Sequence, residues 1–388
     1  MTKSLRRYVV WLMILCSLLV MLAGCKKKAE EEAISEVTEE VVEEITATEE
    51  SKATSNQETS SQPQTKEESS VAEEPEDPIL KDLIHDPNMN PLTGEIEDHD
   101  VSGKRPVAFS INNHPEAVPA VGIADVDILF EAIVEGGATR MMAFFQEVPD
   151  TDTPIGSIRS LRHSYIDFAI SFDAIIVHCG GSDRALNTIS REGYADIDAI
   201  GGAGSIFYRD PWRDSNMGYV HSLVVTGKEM NAYLAGEPFR TQHEEGYVSP
   251  LTFSSNPVVV DGEVLTTVDV FFGDYRHSIF TFDPATNDYT MSEFNKDYID
   301  YATNEPIHFK NIVVIRTDVW EFDGVHQDMT LTGEGEGYFA VNGVFTTITW
   351  SREDADSPFV FTYSDGSPVY FGVGKTYIAV VDTTGGVQ

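Results

Sequence analysis

The sequence predicts an α+β fold: an N-terminal mixed α/β unit followed by a mainly antiparallel, β-rich unit. Three observations carry that expectation. Between residues 79 and 245, apolar runs of strand length alternate with segments of helical spacing. From residue 246 onward, short β-branched or aromatic runs follow one another, punctuated by turn pairs such as Asp283-Pro284, Asn342-Gly343 and Asp365-Gly366. Before residue 79 there is one apolar run and then a long polar stretch, neither of which can supply a core.

That first run is an address. Lys3, Arg6 and Arg7 precede an apolar segment over residues 9–22, and small residues follow it. A basic start, a short apolar run and a small-residue cleavage point describe an export signal over residues 1–24. The run is shorter than the roughly 20 residues a membrane-spanning helix needs. Leu22-Ala23-Gly24-Cys25 resembles the bacterial lipobox. The resemblance implies a diacylglycerol on the Cys25 thiol, cleavage just before it, and a membrane contact made through that lipid. An uncleaved anchor helix and twin-arginine export at Arg6-Arg7 are the alternatives. Of the three cysteines, Cys16 lies in the signal and Cys25 takes the lipid, so Cys179 alone cannot form an internal disulfide.

Residues 25–78 read as an acidic disordered tether. Residues 26–78 carry 17 acidic and 5 basic side chains and almost no aromatics. Low hydrophobicity with high net charge cannot offset the entropy of ordering. Such a tether spans roughly 40 Å on average, with a contour limit on the order of 180 Å. The whole chain of 388 residues has a net charge of −38 and is 41% hydrophobic. A core is affordable, but the charge excludes a phosphate-tracking nucleic-acid protein, which needs a basic face. It also excludes adhesion to anionic lipid through surface charge.

In the body, strands are expected at residues 105–112, 128–133 and 141–147. A helix follows at 162–171, then a buried strand at 174–178. Gly180-Gly181 makes a turn, and Ser182 or Asp183 caps a helix running to about Arg191. Another short helix is expected at 228–234. Residues 79–245 form the first domain and 246–388 the second. In the second, strands are expected at 257–260, 268–272, 278–282, 289–291, 312–317, 337–341, 344–350, 359–363 and 376–381. Asn342-Gly343 between two alternating runs is a strong hairpin signal.

Several segments resemble YerB-like bacterial lipoproteins. They are Asn90-Pro91-Leu92-Thr93-Gly94, the long run RPVAFSINNHPEAVPAVGIADVDILFEAIVEGGATRMMAFFQ, IRSLR at 158–162 and HCGGS at 178–182. GEGEGYFAVNGVFTTITW and DGSPVYFGVGKTYIAVV resemble that family's second domain. The resemblance covers about 300 residues. It implies an exported two-part lipoprotein and assigns no reaction.

The candidate ligand site combines Arg159, Arg162, His163, His178, Gly180, Gly181 and Ser182. A buried strand ending at His178 delivers a Gly-Gly turn to a helix N-terminus, where unpaired N–H groups and the helix dipole favour an anion. Arg159 or Arg162 could clamp it in bidentate fashion. The competing reading pairs these arginines with local Asp or Glu, such as Asp167 and Asp173, and leaves Gly180-Gly181 as a turn only. Residues 208–213 are expected as a polar-aromatic loop that, with His221, brings Arg209 and Arg213 to the same pocket. His114 ends the first strand and could also line a cleft. Cys179 and His178 point to opposite faces of a strand, so the thiol is expected to be inert. Residues 86–97 match calcium-loop spacing, but Pro91 stands where that loop needs Gly.

No zinc spacing, nucleophile elbow, P-loop or dinucleotide fingerprint is present, so no metal or cofactor is expected. The sequence therefore favours an exported, lipid-anchored envelope protein that binds a cell-wall ligand or an envelope protein without catalysis. An envelope enzyme acting on an anionic or carbonyl-containing wall substrate is one alternative. The solute-binding lipoprotein of a transporter is the other.

Overall fold

The structure is a computed structural model that describes residues 82–388, apart from residues 237, 274 and 275. The export signal, Cys25 and the tether lie outside the described residues. Among the described residues no helix is long and apolar enough to cross a membrane.

Long apolar runs become central strands. From the first half come β1 (Val107–Asn113), β2 (Ile128–Ile133), β3 (Thr139–Phe145) and β4 (Ile175–His178). From the second come β5 (Asn311–Thr317), β6 (Gly333–Val341), β7 (Val344–Arg352) and β8 (Thr376–Asp382). All belong to one 11-stranded sheet, whose long strands run in the order β7-β6-β5-β8-β2-β3-β1-β4. Short strands at Glu263–Val264 and Asp196–Asp198 extend the two ends.

β8 joins the halves. It pairs in parallel with β5 on one side and with β2 on the other, Ile128 opposite Thr376 through Ala132 opposite Val380. The sheet thus runs without a gap across the boundary expected at 245/246. β5, β6 and β7 are antiparallel, as expected of the second half. β8 is the exception, and its sequence TYIAVVD explains why: a strand covered on both faces reads as a continuous apolar run.

Two layers cover the sheet. On one face lies a six-stranded sheet built around Thr267–Gly273, Arg276–Asp283 and Asp288–Glu293, with Phe280 against Tyr377 at 4.4 Å between ring centroids. On the other lie helices α1 (His163–Ile170) and α2 (Asp183–Glu192), where Phe168 stacks on Phe130 at 3.9 Å. Each such ring contributes on the order of 1.5–3 kcal/mol of burial. Glu131 interrupts the apolar run of β2 and is fully buried, yet Asn113, Ser278 and Tyr377 all donate to its carboxylate. That network ties the two sheets together.

Two local expectations need correction. Residues 257–260 form no strand; Pro257 has no N–H to donate, and Val258 is exposed. Residues 208–213 are not a loop: Tyr208–Arg209 form a short strand and Pro211 opens helix α3 (Pro211–Met217). Asp210 caps it by accepting from the Arg213 N–H at 2.7 Å, and proline suits the first turn. Helix α4 (Gly227–Gly236) follows. Asn342 and Gly343, at φ 53° and 76°, join β6 to β7 as the primed turn their sequence demands.

Candidate functional site

An extended segment over residues 157–162 crosses the carboxyl ends of β1 and β4. The Arg159 N–H donates to Ser110 O, Cys179 N–H donates to Arg159 O, and Leu161 bridges Gly181. In α/β sheets ligands collect outside the carboxyl ends of strands, so this is the expected place for a site. The turn after β4 leads directly into α2. Ser182 caps that helix, its hydroxyl accepting from the Ala185 N–H.

A cleft of about 700 Å³ opens at the start of α2. Its walls include Arg162, His163, Gly181 and Ser182 from the predicted set, joined by Arg184 and Arg191 from α2. Phe322 and His326 close the far side. They sit between the short paired strands Val319–Glu321 and Gln327–Met329.

The cations of this cleft are partly committed. Arg162 grips Glu135 with both Nε, at 2.8 Å, and Nη2. Buried Arg140 stands 3.6 Å from the same carboxylate. Burial alone would raise the Glu135 carboxyl, but the Arg162 hydrogen bond and the Arg140 charge overcome it and hold the pKa at about 2. Arg184 lies 2.7 Å from buried Asp328 and 4.9 Å from the Phe322 ring centroid. His163 is 3.4 Å from Asp328. Among the described residues Arg191 makes an ion pair only with its neighbour Glu192, and it keeps two thirds of its side chain in solvent. Arg162 thus pairs with a nearby carboxylate, Glu135 rather than Asp167 or Asp173, while Arg159 pairs with neither aspartate; Asp173 is held by Arg105, Arg240 and His243.

The remaining predicted residues go elsewhere. His178 is sealed, with Nδ1 2.9 Å from Gly180 O and Nε2 3.0 Å from Asp196, so it is a structural side chain and faces no cavity. Gly180 adopts φ 61° and donates its N–H to Asp198 at 2.7 Å, which makes it the turn residue. Arg213 is also structural: buried, it donates to the carbonyls of Ala117, Pro119 and His221 at 2.7, 2.8 and 3.1 Å.

Arg159, Arg209 and His221 gather on the opposite side of the 157–162 segment from the cleft residues. Arg159 donates to Val220 O at 2.9 Å, its Nε has no partner, and no carboxylate among the described residues lies within 4.0 Å of it. Burial, then the nearby Arg162 charge, lowers its pKa. Arg209 sits 4.0 Å above the Tyr219 ring. Cys179 is half-buried and burial raises its thiol, in keeping with an inert group.

Sequence reasoning missed Arg184 and Arg191 although they lie seven apart on a correctly placed helix, two turns along one face. Phe322 and His326 carried no signal, because they reach the cleft from more than 130 residues away in the chain.

The body is thus an α+β fold with a polar cleft at the carboxyl ends of its strands. The chain belongs to a family of proteins of unknown function, DUF3048: its N-terminal domain matches residues 92–240 and its C-terminal domain residues 268–378. It is 28% identical over 297 residues to "Putative lipoprotein YerB" of Bacillus subtilis (strain 168), covering 75% of this chain and 85% of that protein. The crystal structure of the Bacillus subtilis YerB protein matches with a TM-score of 0.66 at 26% identity, over 77% of this chain and 99% of that one.

Proposed function

We propose that this protein is a lipid-anchored component of the bacterial envelope, held on the outer face of the cell membrane through Cys25. There it binds an anionic ligand, without catalysis, in the cleft at the start of α2. The observation that carries the reading is that cleft: about 700 Å³ lined by Arg162, Arg184, Arg191, His163 and His326 against two carboxylates, Asp183 and Asp323, the latter 2.7 Å from His326, in a body of high negative charge. A carboxylate or phosphate would find cationic side chains and the first turn of a helix on one wall. The relation to a protein named as a lipoprotein supports the anchor. Two similar lobes closing about a hinge, as a transport solute-binding protein would use, find no support in a sheet that runs unbroken through both halves.

The test is a thermal-shift and calorimetric screen of carboxylate- and phosphate-bearing wall fragments against the full chain. Arg191→Ala, which removes an exposed side chain, is expected to weaken a bound fragment by about 10-fold or more. Arg159→Ala, on the other side of the segment, should leave binding unchanged. Loss with Arg159→Ala and retention with Arg191→Ala would move the site out of the cleft; no fragment bound by the wild type would reject the reading.

A further inference from the structure

His114, Glu116 and His221 come together at the end of β1, away from the cleft. Each offers a ligand atom, and the three atoms lie within 4.8 Å of one another. Glu116 Oε2 is 3.9 Å from His114 Nδ1 and 3.8 Å from His221 Nε2. Both separations exceed a hydrogen bond, so the carboxylate is committed to neither ring. The rings stand nearly parallel, 12° apart, with centroids at 5.5 Å. His221 is buried and anchored, whereas His114 and Glu116 are exposed; His114 Nδ1 accepts from the Glu116 backbone N–H at 3.2 Å and gives up that bond when it ligates.

We propose that these three side chains form a binding site for a divalent transition-metal ion, with zinc as its natural probe. Two imidazoles and a carboxylate suit zinc by donor type, and three protein ligands leave a fourth position open to solvent or to an exchangeable ligand. Tetrahedral bonds of about 2.0–2.1 Å put ligand atoms roughly 3.4 Å apart. Closure from separations of up to 4.8 Å therefore requires the ligand atoms to draw together by up to about 1.4 Å, a movement supplied by the two exposed side chains.

Asn112 decides the tautomer. Its Oδ1 accepts from the His114 N–H at 3.1 Å, and its Nδ2 lies 2.7 Å from His221 Nδ1. In that arrangement Nδ1 accepts and the ring proton sits on Nε2, the atom that faces Glu116. Coordination through Nε2 needs the proton on Nδ1, with the Asn112 amide turned so that its oxygen accepts it. An aspartate at this position would accept from both the His114 N–H and the His221 Nδ1–H with no such conflict. Second-shell partners of this kind change metal affinity by about 10- to 100-fold.

Zinc is titrated into the full chain in detergent, in competition with a chromophoric chelator. The wild type is expected to take one zinc per chain at this site. His114→Ala and Glu116→Gln, both at exposed positions that leave the fold intact, should each weaken it at least about 10-fold, and Asn112→Asp should tighten it by a similar factor. Zinc binding that survives both His114→Ala and Glu116→Gln would be binding to the acidic surface elsewhere and would overturn the proposal. So would the absence of stoichiometric binding, or weaker binding in Asn112→Asp than in the wild type with the fold intact by circular dichroism.

Discussion

Glu135 is the carboxylate on which the cleft's basic wall depends, and Glu135→Gln tests that directly. The folded structure holds its pKa at about 2 against an ordinary 4.5. At about 1.4 kcal/mol per pKa unit the difference corresponds to roughly 3 kcal/mol. The side chain is 30% exposed and only about half desolvated, so solvent screening reduces that to about 1–2 kcal/mol. Gln closely matches a protonated Glu in shape, so Glu135→Gln should cost that amount at pH 7. The sign follows from the depressed value: the contribution is complete above about pH 4.5 and is lost as the pH falls toward 2. Urea unfolding of both proteins at pH 7, 4 and 2.5 would therefore show two curves that converge on acidification. A difference that stays constant across this range, or none at pH 7, would refute the claim that Glu135 carries the charge of Arg162 and Arg140.

Tyr377→Phe removes the hydroxyl that donates to buried Glu131 at 2.7 Å and should cost about 1–3 kcal/mol in urea unfolding, as leaving a buried acceptor short of a partner does. A cost below about 0.5 kcal/mol would mean that Asn113 and Ser278 satisfy the carboxylate alone. Residues 79–245 expressed alone leave β2 without its parallel partner β8, exposing a strand whose residues 128–132 are all buried in the full chain. Aggregation or ANS binding is expected of that fragment; a soluble monomer with native near-UV dichroism would show that each half closes its own core.

Much of the fold was legible because burial writes itself into residue order. ILFEAI and TYIAVVD are unbroken apolar runs apart from Glu131, and both are strands covered on two faces. Asn342-Gly343 named its own turn, and Ser182 marked the start of α2. The helix at Pro211–Met217 was also written in the sequence, as Asp210 before Pro211, but its polar composition read as a loop. What residue order did not carry was adjacency. Nothing local places β8 beside β2, and nothing local brings His326 to Ser182 or His221 to His114. Those contacts follow from sheet order, which depends on how the whole chain closes.

The 157–162 segment explains why one predicted site became two places. In an extended chain successive side chains point to opposite sides. Ser160 and Arg162 line the cleft, while Arg159 reaches across to Val220 and lies close enough to His221 to depress its pKa, after burial, more than any other charge does. A sequence reading that places Arg159 and Arg162 at one site overlooks that alternation. The charges that remain are unequal: Arg162 is neutralised by Glu135, whereas Arg159 has no carboxylate partner among the described residues. Arg159 therefore opposes a cation at His114, Glu116 and His221, while the negative charge of the body favours one. Under the proposed function, an anion in the cleft would be held by Arg191 and by Arg184, which also pairs with Asp328; neither shares a ligand atom with the histidine pair. The two places can thus be loaded separately, and a ligand on one need not displace what is held at the other.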